Sequence, residues 1–138
     1  MAFVISTEKS KLDIHKIQHY ISVESYWGKD RTLEEVKTTI ENSVCFGLYD
    51  KNGNQMGFSR VVTDQILFAY FMDVIIFPEY QGNGYGKQLV DYMMNHEIIK
   101  RVKTVALKTK DAHSLYERYG FKKVGDSDFW MSIDKIKL

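Results

Sequence analysis

"FPEYQGNGYGKQL", residues 77–89, sets Gly82, Gly84 and Gly86 at alternate positions between an apolar run and an amphipathic one. The stretch lies where a strand hands over to a helix. Glycine weakens both kinds of element, so three at one junction need a reason. The first N–H groups of a helix have no intrahelical partner and carry partial positive charge. Glycine lets an anion approach them with no Cβ in the way, so the stretch reads as a cradle for phosphate or pyrophosphate. Lys87 adds a full charge in the first turn. The plainer alternative is a turn that only packs helix against sheet, but such a turn seldom needs three alternating glycines.

Two nucleotide patterns fail at this junction. A phosphate-binding loop of the Walker type needs glycine at 81 and Ser or Thr at 88, where the chain has Gln81 and Gln88. The dinucleotide fingerprint needs its third glycine at position 87, which is Lys87.

Outward from the glycines, periodicity gives the remaining elements. Residues 66–77 ("ILFAYFMDVIIF") are nearly continuously apolar and read as a central strand covered on both faces. After the glycines, Leu89, Val90, Met93 and Met94 recur at helical spacing within residues 87–98. Upstream, residues 44–50 and 55–64 flank Asn52-Gly53, a strong hairpin signal. The N-terminal third holds a short strand at 2–6 and a helix at 11–22 with Ser10 and Asp13 in capping-box spacing. A second helix follows at 32–43, with Thr32 and Glu35 in the same spacing. Downstream come a strand at 104–109, a helix at 111–121 ended by Gly120, and two short strands within 121–133 around Gly125-Asp126. The order β-α-α-β-β-β-α-β-α-β-β predicts an α/β fold in which helices cover a mixed sheet.

The whole chain sets bounds on function. Its 138 residues predict a single domain spanning 1–138. Nineteen basic against eighteen acidic residues give a net charge of +1, which argues against nucleic acid or an anionic membrane as partner. Cys45 is the lone cysteine, so no intramolecular disulfide forms and a reducing, cytoplasmic location is expected. No early stretch reads as a signal peptide and no apolar run is long enough to span a bilayer.

The segment "IFPEYQGNGYG" resembles the acetyl-CoA signature of the GNAT acyltransferase superfamily: Val/Ile-x-Pro, two residues, then Gln/Arg-x-x-Gly-x-Gly/Ala. Ile76, Pro78, Gln81, Gly84 and Gly86 fill its positions. A second stretch, "DAHSLYERYGF", is similar to the family's Ala-x-x-Leu-Tyr-x-x-x-Gly-Phe helix through Ala112, Leu115, Tyr116, Gly120 and Phe121. The order of elements is also the family's. The resemblance implies an N-acetyltransferase that moves an acetyl group from acetyl-CoA to a primary amine by direct attack in a ternary complex, without a metal. A non-catalytic acyl-CoA-binding or sensor module of the same fold is the alternative.

Roles follow position by position. By resemblance, backbone N–H groups of Gln81, Gly82, Asn83, Gly84, Tyr85, Gly86 and Lys87 bind the CoA pyrophosphate, and Val74 and Ile76 lie beside the pantetheine arm. Thr109 stands where many members have asparagine at the end of the next strand; its hydroxyl is still able to bond the pantetheine amide or a water. Tyr116 corresponds to the tyrosine that protonates the departing thiolate, although it also belongs to a core-facing stripe with Ala112, Leu115 and Tyr119.

Asp73 is the one charged residue within the apolar strand. A buried carboxylate needs a partner or a task, so it reads as the general base, or else as a carboxylate that caps a neighbouring loop's N–H groups or pairs with Arg60. Glu24 is the second candidate base. Tyr26, Trp27 and Arg31 form an aromatic, basic segment between the first two helices, where the family builds a wall of the acceptor site. Arg31 suits an acidic group on the acceptor. That acceptor, a small-molecule or peptide amine, is not identified by the sequence, and a homodimer is compatible with it. His15 and His19 stand four residues apart on a helix but lack a third ligand, so no metal is expected.

Overall fold

Five strands form one sheet in the order β1-β2-β3-β4-β5: β1 (Phe3–Ser6), β2 (Val44–Asp50), β3 (Gln55–Thr63), β4 (Phe68–Ile76) and β5 (Thr104–Leu107). The computed structural model describes residues 2–125 and 127–135. The chain divides into two compact units, Met1–Lys108 and Thr109–Leu138. The first four strands run antiparallel to their neighbours, and β5 joins β4 in parallel.

The β2–β3 turn is the one expected from Asn52-Gly53. Gly53 takes a positive φ of 86°, and the Asp50 carboxylate accepts the N–H groups of Asn52 and Asn54. Such a backbone favours glycine because a Cβ is crowded there.

One face of this sheet packs against α1 (Ile14–His19) and α2 (Leu33–Glu41). Ile17, Ile21, Val36 and Ile40 from this helical layer meet Cys45, Phe58, Ile75 and Phe77. Each fully buried aliphatic side chain of this kind is worth roughly 1.5–3 kcal/mol. The capping box predicted at Thr32 and Glu35 forms with both of its hydrogen bonds. The one predicted at Ser10 does not. Asp13 itself caps α1 by accepting the Lys16 N–H, while residues Lys9–Lys11 make a separate 3-10 turn.

Beyond His19 the first helix widens into a π turn over Tyr20–Glu24. On the opposite face α3 (Tyr85–Asn95) buries Leu89, Val90 and Met93. Its last turn opens at His96, and α4 (Glu97–Arg101) follows, so the helix expected over 87–98 is two.

Strand β4 departs from the sequence reading in a useful way. It alternates between buried and half-buried residues, so one of its faces is only partly covered. Its pairing with β3 also slips: Phe58 faces Ile75 but Arg60 faces Met72, leaving Asp73 and Val74 opposite the single Ser59. This is a β-bulge, and Asp73 sits in it at φ 52°, a left-handed conformation uncommon for a residue with a Cβ.

In the second unit, α5 (His113–Glu117) is followed by a turn that closes at Gly120, whose φ is 94°. The two strands expected within 121–133 are absent from residues 121–125 and 127–133; Asp126 lies outside the described residues. Phe129, Met131 and Ile133 alternate as a strand would, yet each is more than 90% exposed. Alternation specifies which face a strand buries but supplies no partner ladder, without which a strand does not form.

Candidate active site

The glycine junction folds as a short 3-10 turn at Pro78–Tyr80, a loop, and the start of α3. The Gln81 side-chain amide donates to the Ile76 carbonyl at 2.8 Å, tying the loop back to the end of β4. Asn83 donates from its side chain to the Tyr80 and Gln81 carbonyls, closing the loop on itself. Gly82 and Gly84 have φ of 83° and 81°, which explains both as glycine on backbone grounds. Gly84 is the N-cap of α3, and the first helical bond runs from the Gln88 N–H to its carbonyl. The N–H groups of Tyr85, Gly86 and Lys87 thus belong to the first turn, where the helix supplies no acceptor.

Gly86 is different from the other two. Its φ is not positive, and a Cβ placed on it would meet only Ile76 Cγ1, at an ordinary 3.8 Å. Neither backbone conformation nor packing among the described residues requires glycine there. The Cβ position looks toward the end of β4.

That end of β4 has a free side. Pairing between β4 and β5 covers Phe68–Phe71 only, so among the described residues no strand pairs with Met72–Ile76 on the β5 side. Val74 and Ile76 lie on this stretch, both half-buried. Main-chain groups there can receive an extended ligand as a further strand would.

Asp73 stands at the centre of the strongest polar cluster, with its side chain 1% exposed. Its Oδ2 accepts from Arg60 Nε at 2.6 Å and from Arg31 Nη1 at 2.8 Å, and its Oδ1 accepts from Trp27 Nε1 at 2.7 Å. Arg60 in turn donates to the Ser43 hydroxyl, which donates to the Thr39 carbonyl on α2. Charge-assisted bonds of this length are the strong kind. Both carboxylate oxygens are thereby occupied, and Asp73 ties β3, β4 and the 25–31 segment together. Two of the three predicted acceptor-wall residues, Trp27 and Arg31, are brought to it.

The segment that carries them is pinned along its length. Ser25 is 3% exposed; its hydroxyl donates to the Ile21 carbonyl and accepts the Gly28 N–H. Gln18 holds the Arg31 carbonyl at 3.0 Å. A Cβ on Gly28 would fall 2.3 Å from Ile21 Cγ2, so only glycine lets the loop lie this close to the π turn. Tyr26 remains 39% exposed, with its ring edge-on to Trp27 at 5.1 Å, and Glu24 is exposed beside it. The bulge, Gly28 and Ser43 were not singled out by sequence. Each acts through three-dimensional proximity; the sequence signals were the isolated Asp73, its pairing with Arg60 and the segment carrying Trp27 and Arg31.

Tyr116 and Thr109 lie in the second unit. Tyr116 is buried, with its ring edge-on to Phe121 at 5.7 Å, and its carbonyl accepts the Tyr119 and Phe121 N–H groups. The Thr109 hydroxyl accepts the Ala112 N–H at 3.0 Å, just ahead of α5.

A model of the acetyltransferase (GNAT) domain matches residues 41–123. A crystal structure described as a "putative acetyltransferase belonging to the gnat family", from Xanthomonas campestris pv. campestris, superposes with a TM-score of 0.87. It is 38% identical and the match covers 96% of this chain and 94% of that one. "Putative acetyltransferase FG08082" of Gibberella zeae is 26% identical over 91% of this chain and 82% of its own length. "Uncharacterized N-acetyltransferase ycf52" of Pyropia yezoensis is 32% identical over 72% of this chain, and the match spans 60% of the relative's length.

Proposed function

The chain belongs to the GNAT acetyltransferase family, and on that premise we propose that it transfers an acetyl group from acetyl-CoA to a primary amine. Gly86 is the observation that carries this reading. Nothing among the described residues demands glycine at that position, so we assign the demand to a ligand passing between the start of α3 and the end of β4. A pyrophosphate followed by an extended arm fits that course. The first-turn N–H groups and Lys87 hold the anion, and Val74 and Ile76 offer main-chain partners to the arm.

Acetyl-CoA supplies the acetyl group as a thioester. The residues of the chain bind, orient and handle protons around it. A main-chain N–H near the bulge faces the carbonyl oxygen, where negative charge develops as the amine attacks. Tyr116 gives its phenolic proton to the sulfur as the C–S bond breaks; a phenol near pKa 10 and a thiol near 8.5 are close enough to share it.

The attacking amine loses a proton, and Asp73 is the first candidate by sequence. With both oxygens already accepting three donors, we assign it to positioning instead. Exposed Glu24 or solvent then takes the proton. We place the reaction in the cytoplasm, consistent with the single buried cysteine.

The test is release of free thiol from acetyl-CoA across a panel of primary amines, with the acetylated product identified by mass. Turnover with at least one amine is expected, and Tyr116→Phe should lower kcat by about 10²-fold while sparing donor binding. Donor binding with no product from any amine would favour the sensor-module alternative.

A further inference from the structure

We propose that Arg31 receives an anionic group on the acceptor, which makes the substrate class a primary amine that also carries a carboxylate or phosphate. This rests on the acetyl-transfer reading and narrows it.

The charges in the cluster do not balance. Arg31 and Arg60 both bind Oδ2 of one carboxylate, Asp73, and no other acidic residue lies within ion-pair distance of either guanidinium among the described residues. Within ion-pair distance two guanidinium charges share one carboxylate, and exposed Glu35 acts on Arg31 only through space. Arg60 is closed off: each of its nitrogens has a partner, Nε on Asp73, Nη1 on Ser43 and Nη2 on Met72 Sδ, and its side chain is 6% exposed.

The surplus therefore falls on Arg31. Only its Nη1 is engaged, by Asp73, and its side chain is 15% exposed. Among the described residues the only sealed side-chain nitrogen or oxygen without a partner is the Tyr49 hydroxyl. The remaining Arg31 nitrogens thus reach solvent.

The result is a guanidinium held through Nη1, with Nη2 beside Gly28 and its side chain 15% exposed. A planar fork held in this way loses little freedom on binding and matches an anionic oxygen pair. Its place is the 25–31 segment, joined through Asp73 to the bulge in β4, beside Val74. The donor's phosphates are assigned to the start of α3, so the solvent-reaching part of Arg31 is left for the acceptor. Trp27 and half-exposed Tyr26 precede it on the same segment and supply apolar surface for the body of the substrate.

Matched acceptors test this in steady-state thiol-release assays. One set is phenylalanine, phenylalaninamide and 2-phenylethylamine; another is 2-aminoethyl phosphate and ethanolamine. In the preferred set the anionic member should exceed its neutral partners by about tenfold or more in kcat/KM, chiefly through KM. Comparing the two sets distinguishes carboxylate from phosphate.

Arg31→Lys keeps a charge for Asp73 but has no second planar edge, so the anionic-to-neutral ratio should fall toward one. Arg31→Gln should do the same, and melting curves establish that each variant is folded. If neither folds, the wild-type ratio decides. Neutral amines acetylated as fast as anionic ones, or a ratio that survives Arg31→Lys, would overturn the assignment while leaving acetyl transfer standing. Absence of turnover with every amine would overturn both.

Discussion

The three glycines of the junction have two separate physical causes. Gly82 and Gly84 satisfy the backbone, since both hold positive φ in open space. Gly84→Ala should cost about 1–2 kcal/mol in a urea melt, because an L-residue resists that conformation. Gly86 lies in ordinary helical backbone, and Gly86→Ala should cost nothing and gain up to about 1 kcal/mol. Equal losses at the two positions would contradict the distinction. Asp73 makes a similar point about what a sequence reveals. Its isolation among apolar neighbours marked it, but whether it was base or anchor depended on Trp27 and Arg31, more than 40 positions away in the chain. One-dimensional reading found the residue and its partner Arg60 but not its bonds to Trp27 and Arg31.

Elements were legible where local chemistry decides them. The hairpin at Asn52-Gly53, the Thr32–Glu35 capping box and the helix after the glycines each form from neighbours a few residues apart. The failures share the opposite origin. The bulge in β4 is invisible to periodicity, because it depends on register against β3. The strands expected within 121–133 had the right alternation but no ladder to join among the described residues. The break at His96 is a third case: its extended ψ of 143° ends α3, and its side chain then caps α4 by accepting the Ile98 N–H. A helix-forming pattern on both sides concealed it. Candidate-site legibility followed the same rule, with the motif residues plain and the pinned 25–31 segment readable only as an aromatic loop.

For the whole molecule, charge and pH are the integrating variables. Burial pushes the Cys45 thiol up to about 11 and the Tyr49 hydroxyl up to about 12. Both groups hold their protons longer folded than unfolded, where they release them near 8.5 and 10. Their contribution is thus complete below about pH 8.5 and is lost as pH rises toward 11 and 12, at about 1.4 kcal/mol per pH unit for each group.

Asp50 and Asp64 carry the opposite sign. Accepted N–H bonds hold both below their usual range, so what they contribute is present above about pH 4 and declines as pH falls through the lowered values. Urea midpoints should be level near neutrality and fall on both sides; a midpoint still rising between pH 9 and 11 would contradict the alkaline limb.

At the same scale, the glycine junction is where this member of the GNAT acetyltransferase family should bind its donor. Calorimetric titration of acetyl-CoA into the wild-type protein and Gly86→Ala tests that most directly. Saturable one-site binding to wild type is expected, weakened by at least about tenfold in Gly86→Ala with no loss of melting temperature. No binding to wild type, or equal binding to a well-folded Gly86→Ala, would refute it.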